Sequence, residues 1–358
     1  MTSQSPVDGD VSDAAVGGMV RAIEPDWTVE SVDRSDHGTD FVATLGVRSP
    51  DGSRLVVLKA TTADFVPPEI ARSEPRLLEL IGRTTEIPVS SVVGYRDRHG
   101  EYPAPFYLAD HVGGDNFEGR PGELSAGARE RVVREAGRNL AELHDLGPLP
   151  AVGRVGVRDG ELAVLDADAH PRYADFREWL VDDCEEALDG IADGGWYPDR
   201  ADEPGRFADL VPDLRERVRE LISGLPAPEA PTYCHWDYRY GNLLVDPETG
   251  ATRAVLDWAN LLSGDPAYNL ATAESHLLRP EDDGERRTAA LRAAFRRAYA
   301  DRRDGWAFDA AVEERIDAYR LACRIDAMAC LPLWHEDATP TERDERAAEH
   351  RAFVSRYL

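Results

Sequence analysis

Asp237, Asn242 and Asp257 are spaced as groups that could do chemistry together. The first two lie in Tyr233-Cys234-His235-Trp236-Asp237-Tyr238-Arg239-Tyr240-Gly241-Asn242-Leu243-Leu244-Val245, the third in Ala254-Val255-Leu256-Asp257-Trp258. Two short apolar runs joined through Thr249-Gly250 read as a hairpin, which brings Asn242 and Asp257 to one mouth. An amide oxygen and a carboxylate there suit Mg²⁺, which takes hard oxygen ligands and keeps several waters. Asp237, five residues before Asn242, can face an acceptor hydroxyl and take its proton as phosphate transfers.

Lys59 adds a fourth group. Of 41 basic Lys and Arg side chains it is the single lysine, and it ends the run Leu55-Val56-Val57-Leu58. An ammonium is a compact point charge that reaches a phosphate oxygen in a tight cleft, whereas a guanidinium is planar and suited to forked contacts. A salt-rich cytoplasm or arginine-favouring codons would explain the loss of lysine, but not where the survivor sits. Lys59 is therefore a candidate phosphate-binding residue.

These groups need elements to hold them. Residues 27–32, 41–47 and 55–58 read as a β-meander with a turn at Ser49-Pro50-Asp51-Gly52, and a polar loop runs from Asp33 to Asp40. The spacing predicts a helix from about Glu69 to Gly82, with Pro75 bending it or marking a later start. Extended runs follow at 89–95 and 105–109. Beyond Asp110-His111-Val112-Gly113-Gly114, helical spacing dominates: 128–146, then about 174–191, 206–223, 267–278, 285–301 and 309–330. The expected organisation is a disordered leader at 1–12, a β-rich lobe at 13–112 and a helical lobe at 113–358, with ligands favoured in a cleft between such lobes.

Composition excludes several classes. A net charge of -27 from 68 acidic residues repels nucleic acid and anionic membranes. Hydrophobic content of 42% with seven Trp argues for packed cores. The N-terminus lacks the pattern of a signal peptide and no apolar run is long enough to span a bilayer, so a cytoplasmic protein is expected. Cys184, Cys234, Cys323 and Cys330 form no CxxC pair and read as reduced, mostly buried thiols. Neither a GxxxxGK[ST] loop nor a GxSxG elbow is present.

The pattern HxDxxxxN, an apolar strand, Asp257, then Gly264-Asp265-Pro266 and Leu270-Ala271 resembles the aminoglycoside phosphotransferase family, related to choline kinases. Leu140-Ala141-Glu142-Leu143-His144 and Ile87-Pro88-Val89 are similar to family segments as well. The resemblance runs from about Val32 to Leu278 and implies an α+β, protein-kinase-like two-lobed fold, with ATP or GTP and Mg²⁺ as cofactors and a small-molecule hydroxyl as acceptor. It implies that Lys59 binds the α- and β-phosphates and pairs with Glu74, with Glu69 in reserve. Asp237 would be the base, Asn242 and Asp257 the metal ligands, and His235 a brace for the catalytic loop. Backbone groups at Asp110, His111 and Val112 would receive the nucleobase, and the loop with Ser35, Gly38 and Thr39 would cover the phosphates. The segment Asp237 to Asn242 also resembles phosphotransferase domains related to those fused to acyl-CoA dehydrogenases.

Three positions depart from the family pattern. Trp236 stands where Gly is common, Asn269 where GDPxxDLA has Asp, and the nucleotide loop has Gly38 alone. A kinase acting on proteins and a silent nucleotide-binding module are the alternatives to a small-molecule kinase.

Overall fold

The computed structural model describes residues 11–35, 40–63, 66–194, 203, 205–278, 284–335 and 338–358. In chain order the first elements are α1 (Asp13–Ile23), β1 (Thr28–Arg34), β2 (Phe41–Ser49), β3 (Gly52–Ala60), α2 (Pro68–Ala71), α3 (Ser73–Thr84), β4 (Val92–Arg96), β5 (Phe106–Asp110), α4 (Ala126–His144), β6 (Gly153–Arg158) and β7 (Glu161–Val164). Then come α5 (Phe176–Ala192), α6 (Val211–Ser223), β8 (Thr232–Cys234), β9 (Leu243–Val245), β10 (Thr252–Val255), β11 (Leu262–Gly264), α7 (Pro266–Leu277), α8 (Glu285–Arg302), α9 (Ala310–Ala329), α10 (Leu331–Trp334) and α11 (Pro340–Val354).

The chain packs as two units. The first comprises 1–135, 154–165 and 240–261, and the second 136–153, 166–239 and 262–358. The first unit is built on a sheet of order β1-β2-β3-β5-β4, each neighbour antiparallel. Along β2 and β3 every second residue turns inward, so Ala43, Leu45 and Val47 meet Val56, Leu58 and Ala60, as the period of a strand requires. α1 covers that face with Val16, Met19, Val20 and Ile23. Ser12 caps α1 and Val11 is buried, so these two residues of the expected leader are ordered parts of the unit.

The helix expected from Glu69 is two helices, α2 and α3. Pro75 lies in the first turn of α3, where its missing N–H has no intrahelical partner to lose. β6 and β7 form a hairpin in a stretch where no element was expected from the sequence. Asp159 and Gly160 both have positive φ, at 53° and 88°, as a two-residue hairpin turn demands. The β9–β10 hairpin turns at Gly250, whose φ is 71° and where a Cβ would lie 2.2 Å from the carbonyl oxygen of Ala128. Only glycine fits so close a backbone approach.

The second unit is helical, with β8 and β11 as a short antiparallel pair. Phe176, Trp179, Tyr268 and Tyr319 pack edge to face or tilted at its centre, geometry that aromatic quadrupoles favour. Asp265 caps α7 through the Ala267 amide and accepts from the Tyr319 hydroxyl at 2.9 Å. All four cysteines are free thiols, and Cys184, Cys234 and Cys330 are buried. Among the described residues no helix is long and apolar enough to cross a membrane.

Candidate active site

Because Leu58 and Ala60 enter the core beneath α1, strand alternation sends Lys59 to the opposite face of β3. There its ammonium lies 2.7 Å from Glu74 Oε2, at the start of α3, and 3.3 Å from Asp257 Oδ1. Glu74, rather than Glu69 on α2, is thus the lysine's partner. Tyr107 pairs in register with Lys59 from β5 and hydrogen-bonds Glu74 with its hydroxyl. Burial opposes the Lys59 charge, but Glu74 and Asp257 outweigh it and hold the ammonium well above its usual range. Burial also pushes the Glu74 carboxyl up, an effect that Lys59 counters and Asp257 reinforces.

The β9–β10 hairpin supplies the other side of this cluster. Leu243 pairs with Val255, and the Asn242 carbonyl accepts the Leu256 amide at 2.8 Å, which brings Asn242 beside the residue preceding Asp257. Asp257 has φ of 58°, a left-handed conformation uncommon outside glycine and better tolerated by Asp and Asn than by most residues. The buried indole of Trp258 donates to the Val255 carbonyl at 2.8 Å and pins the turn. The carboxylate itself is 51% exposed, in position for a ligand from solvent.

Asp237 and His235 belong to the second unit. Arg239 Nε contacts both Asp237 oxygens, at 2.9 and 3.1 Å. His235 is buried and its backbone is gripped by one side chain: Asn269 Oδ1 accepts from the His235 amide at 2.9 Å, while Asn269 Nδ2 donates to the His235 carbonyl at 2.8 Å. Asn269 Oδ1 also lies 3.1 Å from His144 Nε2, and His144 Nδ1 lies 2.7 Å from the Tyr299 hydroxyl. Burial and the nearby Arg303 push His144 down to about 3, so it is a neutral imidazole. Since Asn269 Oδ1 can only accept, Nε2 carries the proton and Nδ1 accepts from Tyr299.

The remaining expected residues are distributed along the first unit. Asp110 forms an ion pair with Arg54. The amides of Asp110 and His111 donate to the carbonyls of Ser91 and Leu55, and Val112 is half-buried. Ser35 donates its amide to Val42; Gly38 and Thr39 lie outside the described residues. Among the described residues no group of three His, Cys, Asp or Glu is placed to hold a metal. One carboxylate and one amide are instead a sparse set of hard oxygens, which fits Mg²⁺ completed by phosphate and water and does not fit a fully protein-ligated ion.

Residues 37–312 match the profile of a phosphotransferase enzyme family. The chain belongs to that family. This phosphotransferase is 23% identical over 239 residues to the mouse Acyl-CoA dehydrogenase family member 10, a match spanning 66% of this chain and 19% of that protein. An aminoglycoside phosphotransferase solved with GDP and kanamycin aligns at a TM-score of 0.59 with 16% identity, covering 94% of this chain and 97% of its own. Choline kinase from Cryptosporidium parvum Iowa II aligns at 0.58 with 10% identity, covering 96% of each chain. The Streptomyces rimosus aminoglycoside phosphotransferase with ADP and streptomycin gives 0.53 at 20% identity, covering 88% of this chain and 98% of its own. The phosphotransferase therefore has the α+β, protein-kinase-like fold that its motifs implied. Tyr107 beside Glu74 and Arg239 beside Asp237 are contacts that sequence alone did not single out. Tyr107 carried one signal, a hydroxyl between Phe106 and Leu108 in the otherwise apolar run from Pro105 to Ala109.

Proposed function

We propose that this phosphotransferase moves the γ-phosphate of ATP to a hydroxyl of a small molecule. The observation that carries the reading is Lys59 held between Glu74 and Asp257. An ammonium has three donors, and one fixed by two carboxylates can present another to phosphate oxygens without first being ordered. Asn242 and Asp257 would hold Mg²⁺, which when bound neutralises charge on the transferring phosphate.

Asp237 takes the proton of the acceptor hydroxyl as the acceptor oxygen bonds to the γ-phosphorus. The bond between that phosphorus and the β–γ bridging oxygen breaks, releasing ADP. Arg239 holds both oxygens of Asp237 and would have to yield one to the acceptor. With the Asp110 and His111 amides engaged internally, a nucleobase would be read by the Val112 amide and by the carbonyls of that segment. His235, fixed at both backbone groups by Asn269, braces the loop that carries Asp237. Residues 13–112 are read as the nucleotide-binding lobe, and the acidity as adaptation to a salt-rich cytoplasm.

Relatives support the reading through their ligands: ADP with streptomycin in one structure and GDP with kanamycin in another. GTP is accordingly an alternative donor. The test is transfer of label from γ-labelled ATP or GTP into a small-molecule extract at high salt, with product identification. Wild type is expected to label a metabolite and Asp237→Asn to lose the transfer. Equal labelling by both proteins, or none by wild type across a broad acceptor set, would refute it.

A further inference from the structure

Gly241, the residue before Asn242, has no side chain to anchor it, yet both polar groups of its backbone are held. Asn116 Nδ2 donates to the Gly241 carbonyl at 2.6 Å, and the Gly241 amide donates to Glu118 Oε2 at 2.6 Å. These partners are 125 and 123 residues away along the chain, so the grip is tertiary rather than a local turn.

The gripping segment is itself held by several contacts. Asn116 Oδ1 accepts the Glu118 amide at 2.9 Å, and Arg120 donates to the Asn116 carbonyl at 3.0 Å. Phe117 between them is buried, with the Arg120 guanidinium 5.6 Å from its ring centre. Asp115 exchanges both backbone hydrogen bonds with Val245, at 2.8 and 2.9 Å, which fastens the segment to β9. All of these residues lie in the first unit. Asn242 is thus fixed from its N-terminal side by the Gly241 grip and at its own carbonyl by Leu256.

We infer that Asn116 and Glu118 are positioning residues for the metal site: they set the Gly241 peptide and through it the direction of the Asn242 amide. This role presupposes that Asn242 is a metal ligand. Groups that orient a ligand without touching the metal commonly change metal affinity by roughly 10- to 100-fold when removed. Nothing in the HxDxxxxN pattern points to residues 116 and 118, because the contact depends on where the chain after β5 returns.

The test uses the full-length protein with ADP and Mn²⁺, with Mn²⁺ binding followed by electron paramagnetic resonance. Glu118→Ala and Asn116→Asp are each expected to weaken Mn²⁺ binding at least roughly tenfold, with melting temperatures close to wild type. Asn116→Asp keeps the acceptor for the Glu118 amide and replaces the donor to Gly241 with a charged oxygen that cannot donate. Glu118→Gln retains an oxygen that can accept from Gly241 and is expected to bind Mn²⁺ like wild type, which a purely electrostatic effect of Glu118 would not allow. Wild-type affinity in both Glu118→Ala and Asn116→Asp, alongside loss in Asn242→Ala, would overturn the positioning role and leave the metal assignment standing. Wild-type affinity in Asn242→Ala would overturn both.

Discussion

Lys59→Arg keeps the charge and follows the chain's own preference, yet the surroundings of Lys59 suit an ammonium. Glu74 is 4% exposed and shares its carboxylate with the Tyr107 hydroxyl, so the cation must approach along one narrow direction. A planar guanidinium distributes its donors in a fork and cannot contact Glu74 and Asp257 from the same point. The variant is expected to fold with a melting temperature near wild type and to lose phosphate transfer by roughly a hundredfold, the scale of a lost transition-state electrostatic contact. Near-normal turnover would mean that the lone lysine is a compositional leftover. At this scale the sequence was most legible: Lys59, Asn242 and Asp257 stood out by type and spacing, and Glu74 by resemblance. Tyr107 did not, because its place beside Glu74 depends on the register of β3 against β5. The left-handed backbone of Asp257 was equally hidden, since it depends on how the Trp258 indole closes the turn.

Between elements, the informative contact is where α4, α7 and α8 meet the strand that leads to Asp237. Arg303 donates to the Tyr299 hydroxyl at 2.8 Å, Tyr299 donates to His144, and His144 donates to Asn269, which holds the His235 backbone on both sides. An aspartate at 269 could accept from the His235 amide but would offer the carbonyl no donor, so the amide and the neutral imidazole are a matched pair. That arrangement has a pH signature. Burial and Arg303 push folded His144 down to about 3, whereas an unfolded histidine titrates near pH 6.5. Below about pH 6.5 the unfolded chain binds a proton that the folded chain refuses, so stability falls as pH is lowered toward 3, by about 1.4 kcal/mol per pH unit for this group. His350, buried and also pushed down to about 3, adds a second such contribution. Glutamine at 144 can donate and accept without titrating, so urea unfolding of His144→Gln between pH 6 and 5 should show a shallower slope than wild type. Identical slopes would remove His144 from this account. The expected helices and the meander were legible because their periodicity is strong. α1 was not, because Gly17-Gly18 lowers local helix propensity; in the fold a Cβ at Gly18 would fall 2.1 Å from the Tyr102 hydroxyl, so the packing of Tyr102 favours the residue that weakens the local signal. By contrast, Asp159-Gly160 before β7 and the Thr339–Glu342 capping box of α11 were legible signals in stretches, 147–173 and 331–358, where no element was expected.

The charge of the whole molecule sets the conditions under which these local devices operate. With 68 acidic against 41 basic residues, the molecule carries a net charge of -27. Several cations are concentrated on particular carboxylates: Arg292, Arg296 and Arg320 all engage the buried Glu274, and Arg215 and Arg219 both engage Glu185. What remains on the surface is an excess of like charge, which destabilises the compact state through self-repulsion. The Debye length is about 10 Å at 0.1 M salt and about 3 Å at 1 M, so added salt removes this repulsion. It screens the buried Lys59–Glu74 contact far less. Melting temperature is therefore expected to rise steadily as KCl increases from 0.1 to 2 M, and Mg·ATP binding to tighten over the same range because a polyanion approaches a less repulsive surface. A Lys59-dependent site that relied on exposed attraction would respond the other way, with affinity falling as salt rises. Measuring both curves on one preparation separates the cases: a rising melting temperature with tightening nucleotide binding fits a protected ammonium inside an acidic shell. A flat or falling melting temperature would mean that the surface carboxylates are not under mutual strain at low salt.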